Sequence, residues 1–269
     1  MVSGDVLTRY LALSAVNGGL GYPTGDTTCG LVDGGCAQHF AGGSLYWSAG
    51  TGARFVSLSA RTRYLALGAQ AGALGYPTMD TACNLRAGGC AQTFEHASLY
   101  AASRTATAFV VSGDVLTRYV GLRGQNGGLA YPTMDTACGL TGGGCAQNFQ
   151  GGTLYWTAGT DARVSLFSVR TRYLAARGQN GALGYPTSDT VCTLLGGGCV
   201  QHFQNGSIFA GSRTAPGRIV SGPILTHWLA LRHVNSRYGY PIGEAYAVPG
   251  GVAQRFQGGT LTYVGGRVR

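Results

Sequence analysis

The sequence lacks lysine altogether and contains only two glutamates, Glu95 and Glu244. Its basic residues are nineteen arginines, and charged residues of both signs make up only 11% of the chain. The formal net charge is nevertheless +9, which favours anionic partners such as acidic glycans or phosphate-bearing polymers. Because the arginines are spread evenly and form no linear cluster, we expect most of them to be solvated or structural, and we expect no nucleic-acid partner.

Long apolar runs are also missing. No segment approaches the roughly 20 residues that a membrane span needs, so we expect no membrane insertion. Met1 leads straight into "VSGDVLTRY" without the apolar core of a signal peptide, so either a secretion signal lies outside this sequence or export does not use one. The chain is too apolar for disorder, at 45% hydrophobic residues, and its 47 glycines indicate many turns.

What the sequence does contain is an internal repeat. A Tyr-Pro pair recurs at intervals of 54, 55, 54 and 55 residues, which defines five repeats with prolines at Pro23, Pro77, Pro132, Pro186 and Pro241. A second period of 109 residues separates the copies of "VSGDVLTRY" at Val2 and Val111, and "VSGPILTHW" follows at Val220. Odd-numbered and even-numbered repeats are therefore of two kinds that alternate along the chain.

Each repeat is predicted to form a short β-meander and a short helix. The segments "AQHF", "SLYWS" and "ARFVS" alternate in polarity and are rich in aromatic residues, and glycine-containing turns separate them. The segment "DVLTRYLAL" has helical spacing, with Val6, Tyr10 and Leu13 near one face and Asp5 as the predicted N-cap. Such a unit cannot bury its apolar face alone, so neighbouring repeats must stack.

The predicted fold is therefore an α+β repeat protein of five units in a single domain over 1–269. The units span approximately 1–55, 56–109, 110–164, 165–218 and 219–269. Both ends of the sequence are in phase with the repeat, and neither carries a distinct capping unit. An open stack needs polar caps and a ring does not. We expect the five units to close on one another, which places Met1 close to Arg269.

Eight cysteines form four pairs with a constant separation of seven residues: Cys29 and Cys36, Cys83 and Cys90, Cys138 and Cys145, Cys192 and Cys199. The even number, the constant spacing and the glycine-rich loops between the partners predict local disulfides in an oxidising, extracellular setting. Zinc is the alternative, but zinc ribbons use Cys-x-x-Cys knuckles and no second ligand pair recurs with these cysteines. Repeat five has Ala247 and Val252 in their place, so the cysteines are expected to be structural.

The pattern "LGYPT.D...C....GGC.Q.F.GGSLYW...TGA" resembles the LGFP repeat, a family named after a Leu-Gly-Phe-Pro tetrapeptide that here carries Tyr in place of Phe. The resemblance covers essentially the whole chain, with departures at Ala130 and in repeat five, which reads "YGYP". LGFP modules occur as C-terminal extensions of actinobacterial cell-wall enzymes, such as mycoloyltransferases and peptidoglycan amidases, and in other secreted proteins, some of them fungal. The resemblance implies a non-catalytic module with about five units in pseudo-fivefold symmetry that holds its protein to the cell wall by binding glycans. It supplies no binding residue by position.

The residues themselves offer no catalytic constellation. Motifs of serine hydrolases, zinc proteases and phosphate-binding loops are absent. The histidines fall at unlike repeat positions, at His39, His96, His202, His227 and His233. We therefore expect no enzyme activity, no cofactor and no metal site.

One acid and one arginine recur in most repeats. The acids follow Tyr-Pro-Thr by one residue, at Asp26, Asp80, Asp135 and Asp189. Their short side chains suit turns, by bonding backbone amides, and one acid per repeat about a ring would lie too far from the next to act as a glycosidase pair. The arginines belong to a Thr-Arg-Tyr triplet, at Arg9, Arg63, Arg118 and Arg172, with His227 in repeat five. They are expected to pair with an aspartate of a neighbouring repeat, and an anion contact in each repeat is the alternative.

The alternation between repeats points to a ligand surface. Trp47 follows Leu45-Tyr46 and Trp156 follows Leu154-Tyr155, whereas the even repeats have Ala101 and Ala210 and repeat five has Tyr263. In a core position, a change from Trp to Ala would cost about 3–5 kcal/mol. Nothing in the even-repeat turn "SRTA" obviously refills that volume, so the position is predicted to be a surface or a groove. The predicted ligand-binding residues are Tyr46, Trp47, Tyr155, Trp156 and Tyr263, and packing of each Trp on the adjacent repeat is the alternative.

The function predicted from the sequence is non-catalytic binding of peptidoglycan or wall polysaccharide by a monomeric, extracellular or cell-wall protein. A wall-modifying enzyme and a structural or adhesion module without a specific ligand remain the alternatives. The sequence does not identify the glycan or the number of occupied sites.

Overall fold

The computed structural model describes residues 1–269. Every repeat contributes one nine-residue helix, and each helix carries a Thr-Arg-Tyr triplet or its counterpart Thr-His-Trp. The helices are α1 (Gly4–Ala12), α2 (Leu58–Ala66), α3 (Gly113–Gly121), α4 (Phe167–Ala175) and α5 (Gly222–Ala230). In α1, Val6 and Tyr10 are buried, as the helical spacing predicts. The predicted N-cap is wrong: Ser3 precedes the helix, and Asp5 lies in the first turn, where a negative charge favours the helix dipole.

The strands form five small antiparallel sheets in meander order. Sheet 1 contains β1 (Thr28–Cys29), β2 (Cys36–Phe40), β3 (Gly43–Ser48) and β4 (Gly52–Ser57). Sheet 2 contains β5 (Cys90–Thr93), β6 (Ala97–Ala101) and β7 (Phe109–Ser112). Sheet 3 contains β8 (Ala137–Cys138), β9 (Cys145–Phe149), β10 (Gly152–Trp156) and β11 (Arg163–Ser165). Sheet 4 contains β12 (Val191–Leu194), β13 (Gly198–Phe203), β14 (Gly206–Ala210) and β15 (Arg218–Val220). Sheet 5 contains β16 (Tyr246–Val248), β17 (Gly251–Phe256), β18 (Gly259–Val264) and β19 (Arg267–Val268). The predicted repeat of a short meander plus a short helix is confirmed, and closure into a pseudo-fivefold ring stays a prediction.

The chain divides into two compact units. The first comprises Met1–Thr136 with Asn148–Gln150, and the second comprises Ala137–Gln147 with Gly151–Arg269. The first unit holds α1, α2, α3 and the first two sheets. The second unit holds α4, α5 and the last two sheets.

Each of sheets 1 and 4 packs a helix on either face, because side chains alternate across a strand. In sheet 1, Leu45 lies in a cluster with Val6 and Tyr10 of α1. The next residue, Tyr46, points to the other face and packs with Tyr64 of α2. The helix that covers this second face belongs to the following repeat, which is why one repeat cannot bury its own sheet. Sheet 4 repeats the arrangement, with Ile208 packed against α4 and Phe209 packed against α5.

A second contact between repeats joins the tyrosine of Tyr-Pro-Thr to a turn of the preceding repeat. The Tyr76 hydroxyl donates to the carbonyl oxygen of Val32 at 2.7 Å, and the Tyr185 hydroxyl donates to that of Thr141 at 2.8 Å. Tyr131 and Tyr240 make the same contact, whereas Tyr22, the first of the series, is 70% exposed.

Candidate functional site

The cysteines form the four predicted disulfides, Cys29–Cys36, Cys83–Cys90, Cys138–Cys145 and Cys192–Cys199, and no cysteine is free. Cys29 and Cys36 lie directly opposite each other on β1 and β2, with their Cα atoms 4.1 Å apart. The disulfides leave no thiolate for zinc, and no group of three His, Cys, Asp or Glu side chains is placed to hold a metal ion. In repeat five, Ala247 and Val252 occupy the same opposed positions on β16 and β17.

Of the recurring acids, Asp80 and Asp135 each join a strand to an arginine, whereas Asp26 pairs with the amino group of Met1. Asp80 accepts a hydrogen bond from the backbone amide of Phe55 at 2.8 Å through Oδ1, and it pairs with Arg9 through Oδ2. Asp135 makes the same two contacts, with the amide of Val110 and with Arg63. The predicted ion pairs are therefore confirmed for Arg9 and Arg63. The predicted role in a turn is corrected, because the amide belongs to a strand of the preceding repeat.

In the second unit the same arrangement recurs. Asp189 accepts from the amide of Val164 at 2.8 Å. In repeat five Glu244 replaces the aspartate, and its Oε1 lies 3.0 Å from Arg172 Nε. These acids hold repeats together and are not paired with one another.

Two histidines come close to a serine, as a catalytic base would. His39 and His202 occupy the same repeat position, contrary to the expectation from sequence, and their Nδ1 atoms lie 2.7 and 2.8 Å from Oγ of Ser44 and Ser207. Burial, and then the charge of Arg61, lower the pKa of His39. Both serines are buried, with exposed fractions of 0% and 2%, so neither hydroxyl is available to a substrate.

The structure separates the aromatic residues that the sequence grouped as one ligand surface. Tyr46 and Tyr155 are 1% and 3% exposed, and each packs edge-on against a helix tyrosine, Tyr64 or Tyr173. Burial raises the pKa of Tyr46 to about 12. The assignment of Tyr46 and Tyr155 to a ligand surface does not hold, because no ring face is open.

The other three predicted residues are half-buried. Trp47 lies opposite Cys36 on the neighbouring strand and packs beside the cluster that contains α1 residues. Tyr263 lies opposite Val252 in the corresponding place, and Trp156 follows Tyr155 at the end of β10. All three residues are thus partly open to solvent, and Trp47 and Tyr263 also pack against a core cluster.

In the even repeats this position is closed. Ala101 lies opposite Cys90 and is 4% exposed, and Ala210 lies opposite Cys199 and is 1% exposed. The expected surface position is therefore wrong for these repeats. A small void of about 10 Å³ lies beside Ala101 and Ala108.

The chain that follows Ala101 and Ala210 builds a different feature, which we call the even-repeat groove. Residues 102–108 and 211–217 leave the sheet and face the outer side of α2 and α4. The groove against α2 has a volume of about 930 Å³ and the groove against α4 one of about 660 Å³. Neither groove was predicted from the sequence, although the repeated "SRTA" at Ser103 and Ser212 was a visible signal.

Comparison with known proteins identifies the repeat. The LGFP repeat profile matches residues 20–72, 74–127, 129–181 and 183–236. The chain belongs to the LGFP repeat family. No curated protein sequence matches this LGFP protein. A solved structure described as the extracellular domain of a one component system from B. thetaiotaomicron aligns with 91% of the chain and 28% of its own length, at 9% identity. The TM-score of this alignment is 0.17.

The LGFP family is a family of repeat modules and not a catalytic one. The four disulfides of this member are typical of extracellular proteins. None of its helices has the length and apolar character that crossing a membrane requires.

Proposed function

We propose that this LGFP protein is a non-catalytic module that binds cell-wall glycans, either peptidoglycan or wall polysaccharide, through aromatic side chains of its odd-numbered repeats. The observation that carries the proposal is the recurrence of Trp47, Trp156 and Tyr263 at one sheet position with part of each ring uncovered. Sugars bind proteins by laying apolar C–H faces on such rings. Wall association is also what the LGFP resemblance implies.

The acids and serines that could serve in catalysis are held in contacts within the protein, which supports binding rather than catalysis. Asp80 and Asp135 are each held by a strand amide and an arginine, so neither faces a second carboxylate as a glycosidase acid does. The two serines beside histidines are buried. Disulfide formation supports a location outside the cytosol, where wall glycans are found.

The test is to replace both tryptophans, in the double variant Trp47→Ala with Trp156→Ala. Each change copies what the even repeats carry, so we expect the variant to fold, with a loss of roughly 1–2 kcal/mol per site because the rings are only half-buried. Binding to purified cell walls should fall, and by more than the sum of the single changes if one polymer engages both sites. Sedimentation with wall material and thermal unfolding measure the two effects.

A matched control is Tyr246→Ala, which removes an aromatic ring that is 40% exposed and lies outside the predicted positions. This variant should bind walls as the parent does. A folded double tryptophan variant with the affinity of the parent would contradict the proposed site and return both rings to a packing role.

A further inference from the structure

The two even-repeat grooves are one structure that occurs twice. Their lining positions recur at a spacing of 109 residues, as in the pairs Leu58 and Phe167, Thr62 and Thr171, Arg104 and Arg213, and Thr105 and Thr214. Within each loop a serine accepts hydrogen bonds from the amides two and three residues later, at Ser103 and at Ser212. The even repeats are therefore alike in this loop, at a place where repeats one and five have a tight hairpin.

One residue of the second groove adopts a backbone conformation that its side chain disfavours. Phe167 begins α4 with φ +52°, whereas Gly4, Gly113 and Gly222 hold the same helix position in the odd repeats with φ between +57° and +59°. A bulky residue in this left-handed region is uncommon, and a glycine would relieve the strain. Phe167 is 43% exposed, so packing in the core does not explain why a phenylalanine occupies this position. A strained and exposed aromatic residue points to a contact outside the chain.

Each groove also carries an arginine without a carboxylate partner. The Arg213 guanidinium lies over the Phe167 ring, 5.0 Å from its centroid, and Arg104 donates to Oδ1 of Asn84 at 3.0 Å. Both arginines are exposed, and no acidic side chain lines either groove. The arginines that the helices contribute to the grooves, Arg63 and Arg172, are already paired with Asp135 and Glu244. An anion that enters a groove thus meets a guanidinium that is not neutralised.

We infer that each even-repeat groove binds a uronic-acid residue of an acidic polysaccharide, with the sugar ring against Leu58 or Phe167 and its carboxylate on Arg104 or Arg213. This inference rests on the proposed glycan-binding function and adds a second class of site to it. A planar guanidinium takes a planar carboxylate with two parallel hydrogen bonds. In a uronic acid the carboxylate is attached directly to the ring, so one sugar residue is small enough to contact both Phe167 and the Arg213 guanidinium, which lies 5.0 Å from the Phe167 ring centroid. The groove volumes fall within the roughly 300–1,000 Å³ of small-molecule sites.

The probes are trigalacturonate, the neutral trisaccharide galactotriose and a glycerol phosphate polymer, measured by calorimetry at low and at physiological salt. The test variants are Phe167→Gly, which installs the residue that the odd repeats carry, and the double change Arg104→Gln with Arg213→Gln. The matched control is Arg177→Gln with Arg232→Gln, which removes the same charge from two exposed arginines outside both grooves. Thermal unfolding checks that every variant folds, and Phe167→Gly is expected to melt at or above the temperature of the parent.

We expect the parent to bind trigalacturonate and to bind galactotriose at least about tenfold more weakly, because the charge-assisted hydrogen bonds are lost. The double groove variant should lose about tenfold in affinity for trigalacturonate, and the control should lose less than about twofold. Phe167→Gly should abolish binding at the second groove and so lower the stoichiometry. An equal loss in the control would show diffuse attraction by net charge and overturn the inference. Preference for the glycerol phosphate polymer would overturn it in favour of a phosphodiester ligand.

The same measurements separate this inference from the proposed function. A parent that binds purified walls through Trp47 and Trp156 but does not bind trigalacturonate would refute the groove assignment alone. A parent that binds trigalacturonate but not walls would refute the proposed function and leave the groove assignment standing.

Discussion

At the scale of single residues, the glycine before each second cysteine is fixed by the tyrosine that docks on it. A Cβ atom at Gly89 would lie 2.2 Å from the Tyr131 hydroxyl, and one at Gly144 would lie 2.3 Å from the Tyr185 hydroxyl. Neither glycine has a positive φ, so the requirement is space and not conformation. The second glycine of the Gly-Gly-Cys motif is therefore needed for a contact between repeats.

Replacing Gly89 by Ala should consequently weaken the contact between the second and third repeats. The new methyl group would also meet the carbonyl oxygen of Ala101 at 2.6 Å, so the tyrosine or the strand must shift. We expect the free energy of unfolding to fall by about 1–3 kcal/mol, as in other overpacked sites. Chemical denaturation measures the change. Gly128→Ala is the control, because its Cβ would meet nothing within 4 Å, and an equal loss there would rule out the clash as the cause.

At the scale of elements, the first hairpin of each repeat has the same strand pairing with or without a disulfide. Ala247 and Val252 lie opposite each other in repeat five without a covalent bond, as Cys29 and Cys36 do with one. The sheet thus forms in both cases, and the disulfide restrains an existing pair of strands.

The double change Ala247→Cys with Val252→Cys should therefore produce a fifth disulfide. Opposed residues on antiparallel strands bring their Cβ atoms to about 4.5–5.5 Å, near the separation that a disulfide spans. The bond restricts the unfolded chain and should therefore increase the free energy of unfolding by up to about 2 kcal/mol for so short a loop. The melting temperature should rise accordingly. Thiol titration under denaturing conditions and thermal unfolding check this. Two free thiols that persist under oxidising conditions would show that repeat five differs from the others in geometry.

The helices, the strands and the disulfides could be predicted from the sequence because they depend on the local residue pattern. Val6 and Tyr10 follow helical spacing, and the cysteine pairs lie within seven residues of each other. The wrong assignment of Tyr46 arose because it was grouped with its neighbour Trp47. Adjacent residues of a strand point to opposite faces, and the helix of the next repeat covers Tyr46. The grooves depend on the path of residues 102–108, which composition does not determine.

At the scale of the whole molecule, the acids and the tyrosines make every repeat depend on a neighbour. Asp80 binds both a strand and a helix of the first repeat, and Tyr76 docks on a turn of that repeat. The sequence predicts that the series closes on itself, whereas the exposure of Tyr22 leaves the first repeat without this contact.

A comparison of Tyr22→Ala with Tyr76→Ala tests that prediction. Tyr76 is 2% exposed, and we expect its replacement to cost about 3–5 kcal/mol, as for other buried aromatic residues. Tyr22 is 70% exposed, so we expect its replacement to change the free energy of unfolding by less than about 0.5 kcal/mol. Chemical denaturation of both variants gives the two values. A loss for Tyr22→Ala as large as that for Tyr76→Ala would show that Tyr22 is docked, as closure requires.

The short span of the disulfides has a mechanical consequence. Each one joins two cysteines seven positions apart within a single repeat, so no disulfide ties one repeat to the next. A pulling force along the chain would be resisted between repeats only by the packed helices, the acid–arginine pairs and the docked tyrosines. Each disulfide would withhold about 20–25 Å of extension, the contour length of its loop. A protein built this way would lengthen in steps under tension while each disulfide-closed hairpin stayed intact.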